Sequence, residues 1–201
     1  AYGGLDGEHY WYAHSEVWRH PILSRFVPQS VLQPRSVRRL TAPEQDFNVL
    51  RVARTATELQ RAGVRTSIGA HGQREGLGAH WEMWMLGLGG MTPLEALRSA
   101  TLNPAQTLGL DKDIGSLEPG KLADLVVLEG DVLKDIRHSD RIVQVMQGGR
   151  LYELPTMNEI GHRSKPRKAF FFEGLSGEQG QVPVNDHALE DYLEVGHVCR
   201  H

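Results

Sequence analysis

The chain has 201 residues, 40% of them hydrophobic and 23% charged, enough apolar content to bury a core in one or two domains. Its formal net charge is -3, and basic residues are scattered apart from short stretches at 35–39 and 165–168, which excludes the basic footprint of a nucleic-acid binder. The sole cysteine, Cys199, excludes an internal disulfide and a cysteine-based zinc cluster, and no apolar run reaches the roughly 20 residues that span a bilayer.

The first residues, Ala1-Tyr2-Gly3-Gly4, show neither an initiating Met nor a signal-peptide pattern, so the chain is read as cut from something longer. Residues 1–40 hold Tyr2, Tyr10, Trp11, Tyr12, Trp18 and Phe26 with Pro21, Pro28 and Pro34 between them, at neither helical nor strand period. This predicts a long ordered loop with short helical turns, and loops of that length in a compact domain are usually functional. Tyr10, Trp11 and Tyr12 are expected to stabilise the loop rather than to cage a substrate.

Thr41-Ala42-Pro43-Glu44 reads as a capping box with Pro in the first turn. Val49, Val52, Ala53, Ala56 and Leu59 then recur on one helical face, opposite Arg51, Arg54, Glu58 and Arg61, until Gly63 stops the helix. Residues 64–70 suit a short buried strand of a parallel sheet, so helix and strand make half of a βαβ unit. His71 ends that strand and opens the Gly-rich stretch 72–78. A titratable imidazole at such a strand-to-helix turn is where α/β enzymes place their chemistry.

Trp81, Trp84, Met85 and Leu88 predict a second helix ended by Gly89-Gly90. Thr92-Pro93-Leu94-Glu95 is a second capping box opening a third, and Asn103-Pro104 is expected to cap a fourth, short helix that stops at Gly109. From Ile114 the texture changes: residues 115–120 are turn-rich, 125–128 form an apolar strand, and 142–146 with 150–152 predict a hairpin across Gln147-Gly148-Gly149. Beyond Thr156 the polar, Gly-rich chain is expected to lie over the surface or be partly disordered. His197, Cys199 and His201 near the terminus are a loose metal signature, for which adventitious binding is the expectation.

Three stretches together resemble the metal-dependent amidohydrolases of the urease and imidazolonepropionase type. They are Gly69-Ala70-His71; Gly90-Met91-Thr92-Pro93-Leu94-Glu95-Ala96-Leu97 with Ala100-Thr101-Leu102-Asn103-Pro104-Ala105; and Gly115-Ser116-Leu117-Glu118-Pro119-Gly120-Lys121-Leu122-Ala123-Asp124-Leu125-Val126-Val127-Leu128. The third is the most specific, and its Lys121 and Asp124 are read as turn and strand-entry residues. Tyr10-Trp11-Tyr12, Gly76-Leu77-Gly78-Ala79-His80-Trp81-Glu82 and Gly148-Gly149-Arg150-Leu151-Tyr152 look closest to the subgroup often fused behind a TolB-like propeller, a fusion that would imply a periplasmic or secreted protein.

The resemblance runs over residues 1–160 and implies an α/β fold: the C-terminal part of a (β/α)8 metal-dependent hydrolase barrel plus part of a small β-sandwich. Residues 1–112 would belong to the barrel, 113–155 to the C-terminal half of a composite sandwich, and 156–201 to a surface extension. The missing N-terminal part of the same protein is then the expected partner, together with a small amide or peptide-like substrate.

In the family a divalent metal, here expected to be zinc, polarises the scissile carbonyl and activates water, and an Asp ends the last barrel strand. His71 stands at that position, as a metal ligand and acid/base group or as a structural residue filling the old Asp site. Glu8, His9 and His14 lie in the aromatic loop, which would face the same mouth, and are candidate substrate contacts, Glu8 and His9 foremost, with ordinary loop packing and solvent exposure as the alternative. His80 is a candidate substrate contact that, with Glu82, would line the cleft or orient His71; capping and packing against Trp81 and Trp84 are the alternative.

The implied function is hydrolysis of C–N bonds in amides, cyclic amides or peptide-like substrates by metal-activated water. The alternative is a non-catalytic amidohydrolase-like binding or scaffold domain that has lost the last-strand Asp.

Overall fold

Residues 7–36, 42–70 and 76–170 are described by the structure, a computed structural model, and the chain divides into two units, Ala1–Pro166 and Arg167–His201. Within the second unit the Arg167 guanidinium lies 4.5 Å from the centre of the Phe170 ring. All elements that follow belong to the first.

The N-terminal aromatic stretch is more helical than its sequence predicts. It forms α1 (Gly7–His14), a 3-10 turn at Val17–Arg19, α2 (Leu23–Phe26) and α3 (Gln29–Ser36). Tyr10, Trp11 and Tyr12 are all buried, so α1 sinks three consecutive residues into the core and leaves no amphipathic stripe to be read. Tyr10 meets Phe47 edge to face at 5.5 Å, and Trp11 stacks on Trp81 at 6.4 Å. These rings stabilise the region, as expected.

The next helix, α4 (Asn48–Arg61), starts later than the sequence predicts. Thr41 lies outside the described residues; Pro43 heads a 3-10 turn at Glu44–Asp46, and Phe47 occupies the N-cap without a side-chain cap. The turn drops the Phe47 ring into the aromatic core, where it is fully buried. Val49, Ala53 and Thr57 form the buried face of α4, while Val52 and Leu59 stay exposed.

Helices α5 (Leu77–Leu88), α6 (Pro93–Ala100) and α7 (Leu102–Leu108) follow. Gly89 ends α5 as expected and sits against α4: a Cβ there would come within 2.3 Å of the Ala53 backbone. The box at α6 is complete, with Glu95 N donating to Thr92 Oγ1 at 3.3 Å and Thr92 N donating to Glu95 Oε2 at 2.7 Å. Gly109 closes α7 in the left-handed region at φ 71°. Thr101, not Asn103, is the N-cap of α7.

Residues 64–70 are extended but are not a buried parallel strand; among the described residues no strand pairs with them. Their exposure alternates, with Thr66, Ile68 and Ala70 half-buried and Arg65, Ser67 and Gly69 exposed. One face packs on the helices, and among the described residues the other is uncovered.

After α7 the chain forms one antiparallel sheet in the order β1 (Leu125–Leu128), β2 (Ile142–Gln147), β3 (Arg150–Glu153) and β4 (Glu159–Ile160). Gly148 and Gly149 both have positive φ, 54° and 77°, the type I′ geometry of a two-residue hairpin. The polar stretch after Thr156 was expected to be an extension, yet it supplies β4. Arg150 fastens that strand by donating to both Glu159 carboxylate oxygens, at 3.0 and 2.6 Å. Neither a closed barrel nor the second layer of a sandwich is formed by the described residues.

A 3-10 turn at Ile136–Asp140 ties the sheet to the helices. Trp84 Nε1 donates to Ile136 O at 3.0 Å and to Ser139 Oγ at 2.9 Å, and Ile136 packs in a cluster with Met83, Met91 and Ala96.

Candidate functional site

His71, the residue on which the sequence concentrates catalysis and metal binding, lies outside the described residues. What can be built is the seat just before it. Four helices grip residues 66–69 with polar groups. Asn103 Nδ2 of α7 donates to Thr66 O at 3.0 Å and to Gln60 Oε1 of α4 at 3.2 Å. Ile68 N donates to Ser99 O of α6 at 3.0 Å. On α5, Glu82 Oε2 accepts from Gly69 N at 2.5 Å.

Around these contacts Thr66 Oγ1, Ser99 Oγ and Gln60 Oε1 form a compact knot, with Ser99 Oγ donating to Gln60 at 2.9 Å and Thr66 Oγ1 also hydrogen-bonded to Gln60. Ser99 is fully buried and Asn103 nearly so. Buried polar groups need partners, and here the partners are supplied by the extended segment. The bond from Gly69 to a carboxylate is charge-assisted, the stronger class.

Of the sequence-predicted site residues, Glu8 and His9 fall on α1. Glu8 Oε1 accepts from Tyr12 OH at 2.5 Å, and the His9 ring meets Tyr12 edge-on at 6.4 Å. His14 donates from Nδ1 to Tyr10 O at 2.6 Å and stacks on the Tyr10 ring. His80 faces the other way from the knot's grip on the segment: its Nδ1 is 3.0 Å from Ser139 Oγ, beside Trp84.

Burial holds the His80 imidazole below its ordinary pKa; Asp140 opposes that shift and His20 adds to it. The packing alternative thus has a specific partner in Ser139. Glu82, by contrast, accepts from Gly69 N in the segment before position 71. Gln60, Ser99 and Asn103 were not anticipated as a group. Their signal was polarity on helical positions otherwise facing inward, and Asn103 was masked by its resemblance to a cap.

A metal requires several converging donors. Among the described residues no three His, Cys, Asp or Glu side chains are placed to hold one. No helix among them is long and apolar enough to cross a membrane.

The family model described as "Amidohydrolase family" matches residues 35–152, more than half of the chain. An adenine deaminase of Rubrobacter xylanophilus is 42% identical over 65 residues, which are 31% of this chain and 11% of that protein. An ochratoxinase of Aspergillus niger is 35% identical over 81 residues, 38% of this chain and 17% of that protein. Among solved structures, a Xaa-Pro dipeptidase with bound methionine in its active site aligns with 73% of this chain and 32% of its own, at 22% identity and a TM-score of 0.49. The chain therefore spans a minor part of the length of each of these three proteins.

Proposed function

The chain belongs to the amidohydrolase family, and from that premise we propose that it is the C-terminal segment of a hydrolase that cleaves C–N bonds in amides, cyclic amides or peptide-like substrates. The observation that carries this reading is the seat of residues 66–69. Helix side chains hold the segment that precedes His71, and among the described residues no strand pairs with it. Exposed Val126 and Val127 on β1, at the outer edge of the antiparallel sheet, support the same reading for the sandwich part. The missing N-terminal part of the protein would complete both.

In this reading His71 supplies the last-strand function, as metal ligand and acid/base group, and Glu8, His9 and His80 contribute to the substrate cleft. A divalent metal, with zinc as our assignment, would supply activated water. The described residues do not make up a metal-binding set, so its ligands would be His71 and groups from the rest of the protein, and no catalytic step is assigned to it. Fusion to a TolB-like propeller belongs to the same proposal.

The test is hydrolysis of an amide and dipeptide panel by the intact protein, by the 201-residue chain alone, and by His71→Ala in the intact protein. We expect turnover from the first and none from the other two. Turnover by the isolated chain, or full activity in His71→Ala, would overturn the assignment.

His in place of the family's last-strand Asp favours a second reading, a binding or scaffold domain without hydrolysis. An inactive wild type whose His71→Asp variant gains turnover would establish that reading over the first.

A further inference from the structure

A cavity of about 200 Å³ opens between the turn after α1, the start of α5 and the end of the 3-10 turn at Ile136–Asp140. Two indoles, Trp81 and Trp84, line it together with Leu77, so much of its wall is aromatic and apolar. Its charged residues come in two pairs of unequal quality. Arg19 and Glu16 are 2.7 Å apart and neutralise each other at the exposed rim. Asp140 faces His20 across 3.9 Å, beyond hydrogen-bond reach, and a histidine offers a cation only when protonated.

The lining therefore holds one carboxylate, Asp140, whose facing partner is a histidine outside hydrogen-bond reach, set beside two indoles. An ammonium group satisfies both features at once, by ion pairing with the carboxylate and by attraction to aromatic faces, which is strongest for Trp. A neutral apolar guest would leave the carboxylate unanswered, and an anion would be repelled by it. We infer that this cavity is a binding site for a small organic monocation, an alkylammonium-type ligand whose hydrocarbon body rests on Leu77 and the indoles while its charge meets Asp140. The inference uses described residues alone and does not depend on the hydrolase reading.

The test uses the intact protein and two probes of matched shape, tert-butylammonium and tert-butanol, followed through the indole N–H resonances of Trp81 and Trp84. Saturable shifts of both resonances with tert-butylammonium are expected, with no saturation by tert-butanol. Asp140→Asn, with its indole dispersion intact, should weaken the ammonium probe roughly tenfold, and Asp140→Glu should restore part of that loss. Equal responses to the two probes would overturn the proposal, since they would mark an apolar hole without charge selection. So would unchanged affinity in Asp140→Asn, or no saturation by the ammonium in the wild type, a comparison that needs no variant to fold.

Discussion

Two extended parts of this chain are held in opposite ways. Residues 142–153 pair with themselves across a two-glycine turn, so backbone satisfies backbone over a few residues. Residues 64–70 have no such neighbour among the described residues and rely on side chains from four helices: Gln60, Glu82, Ser99 and Asn103. A hairpin carries its partner in its own sequence; a segment without a strand partner depends on distant residues, and here it is secured from the helix side.

The sharpest way to break this contrast is Asn103→Ala. It removes a donor shared by Thr66 O and Gln60 in a buried setting, and we expect a loss of about 2 kcal/mol in denaturant unfolding. A change too small to measure would mean that the knot does not secure the segment.

Next in size, Gly149→Val forces a branched residue into a left-handed position and should cost about 1–2 kcal/mol. Hydrogen exchange should quicken at the β2 and β3 amides while that of Gly69 keeps its rate. If both regions loosen together, they are one cooperative unit and the contrast fails.

Glu82→Ala should cost about 1 kcal/mol and release the Gly69 amide to faster exchange, with Glu82→Gln retaining an acceptor and much of the protection. Equal exchange in all three proteins would show that the carboxylate is idle.

The smallest effect is a pH dependence. The pKa of His80 is lower folded than unfolded, so its stabilising contribution is complete above about 6.5 and is lost as pH falls through the lower folded value. Unfolding measured against pH should show that acid limb in the wild type and a flatter one in His80→Gln. An unaltered limb would remove His80 from its cause.

What was legible in the sequence follows the same division. The hairpin, the capping box at Thr92 and the stop at Gly109 were readable because each signal and its structural response lie within a few residues. The burial expected of residues 64–70 is not found: they pair with no strand among the described residues, and side chains of distant helices hold them instead. Thr41-Ala42-Pro43-Glu44 looked like a helix start, but burial of Phe47 moved the start to Asn48. Asn103 looked like a cap, and its side chain instead crosses to two other elements, a contact between residues 37 positions apart that no local pattern encodes. The candidate site was legible to a smaller extent. Glu82 was singled out and does reach the approach to His71, whereas His80 next to it is engaged with Ser139.

Gly89 gives this arrangement a gauge. The helix α4 presents Ala53 to it at a distance no side chain can share, and the same two helices carry Gln60 and Glu82. A single methyl at position 89 would act as a wedge driven between them, and both jaws of the clamp on residues 66–69 would open by the same stroke. The calibre of the clamp is thus set by a hydrogen atom, at a position 20 residues along the chain from the amide it helps to hold.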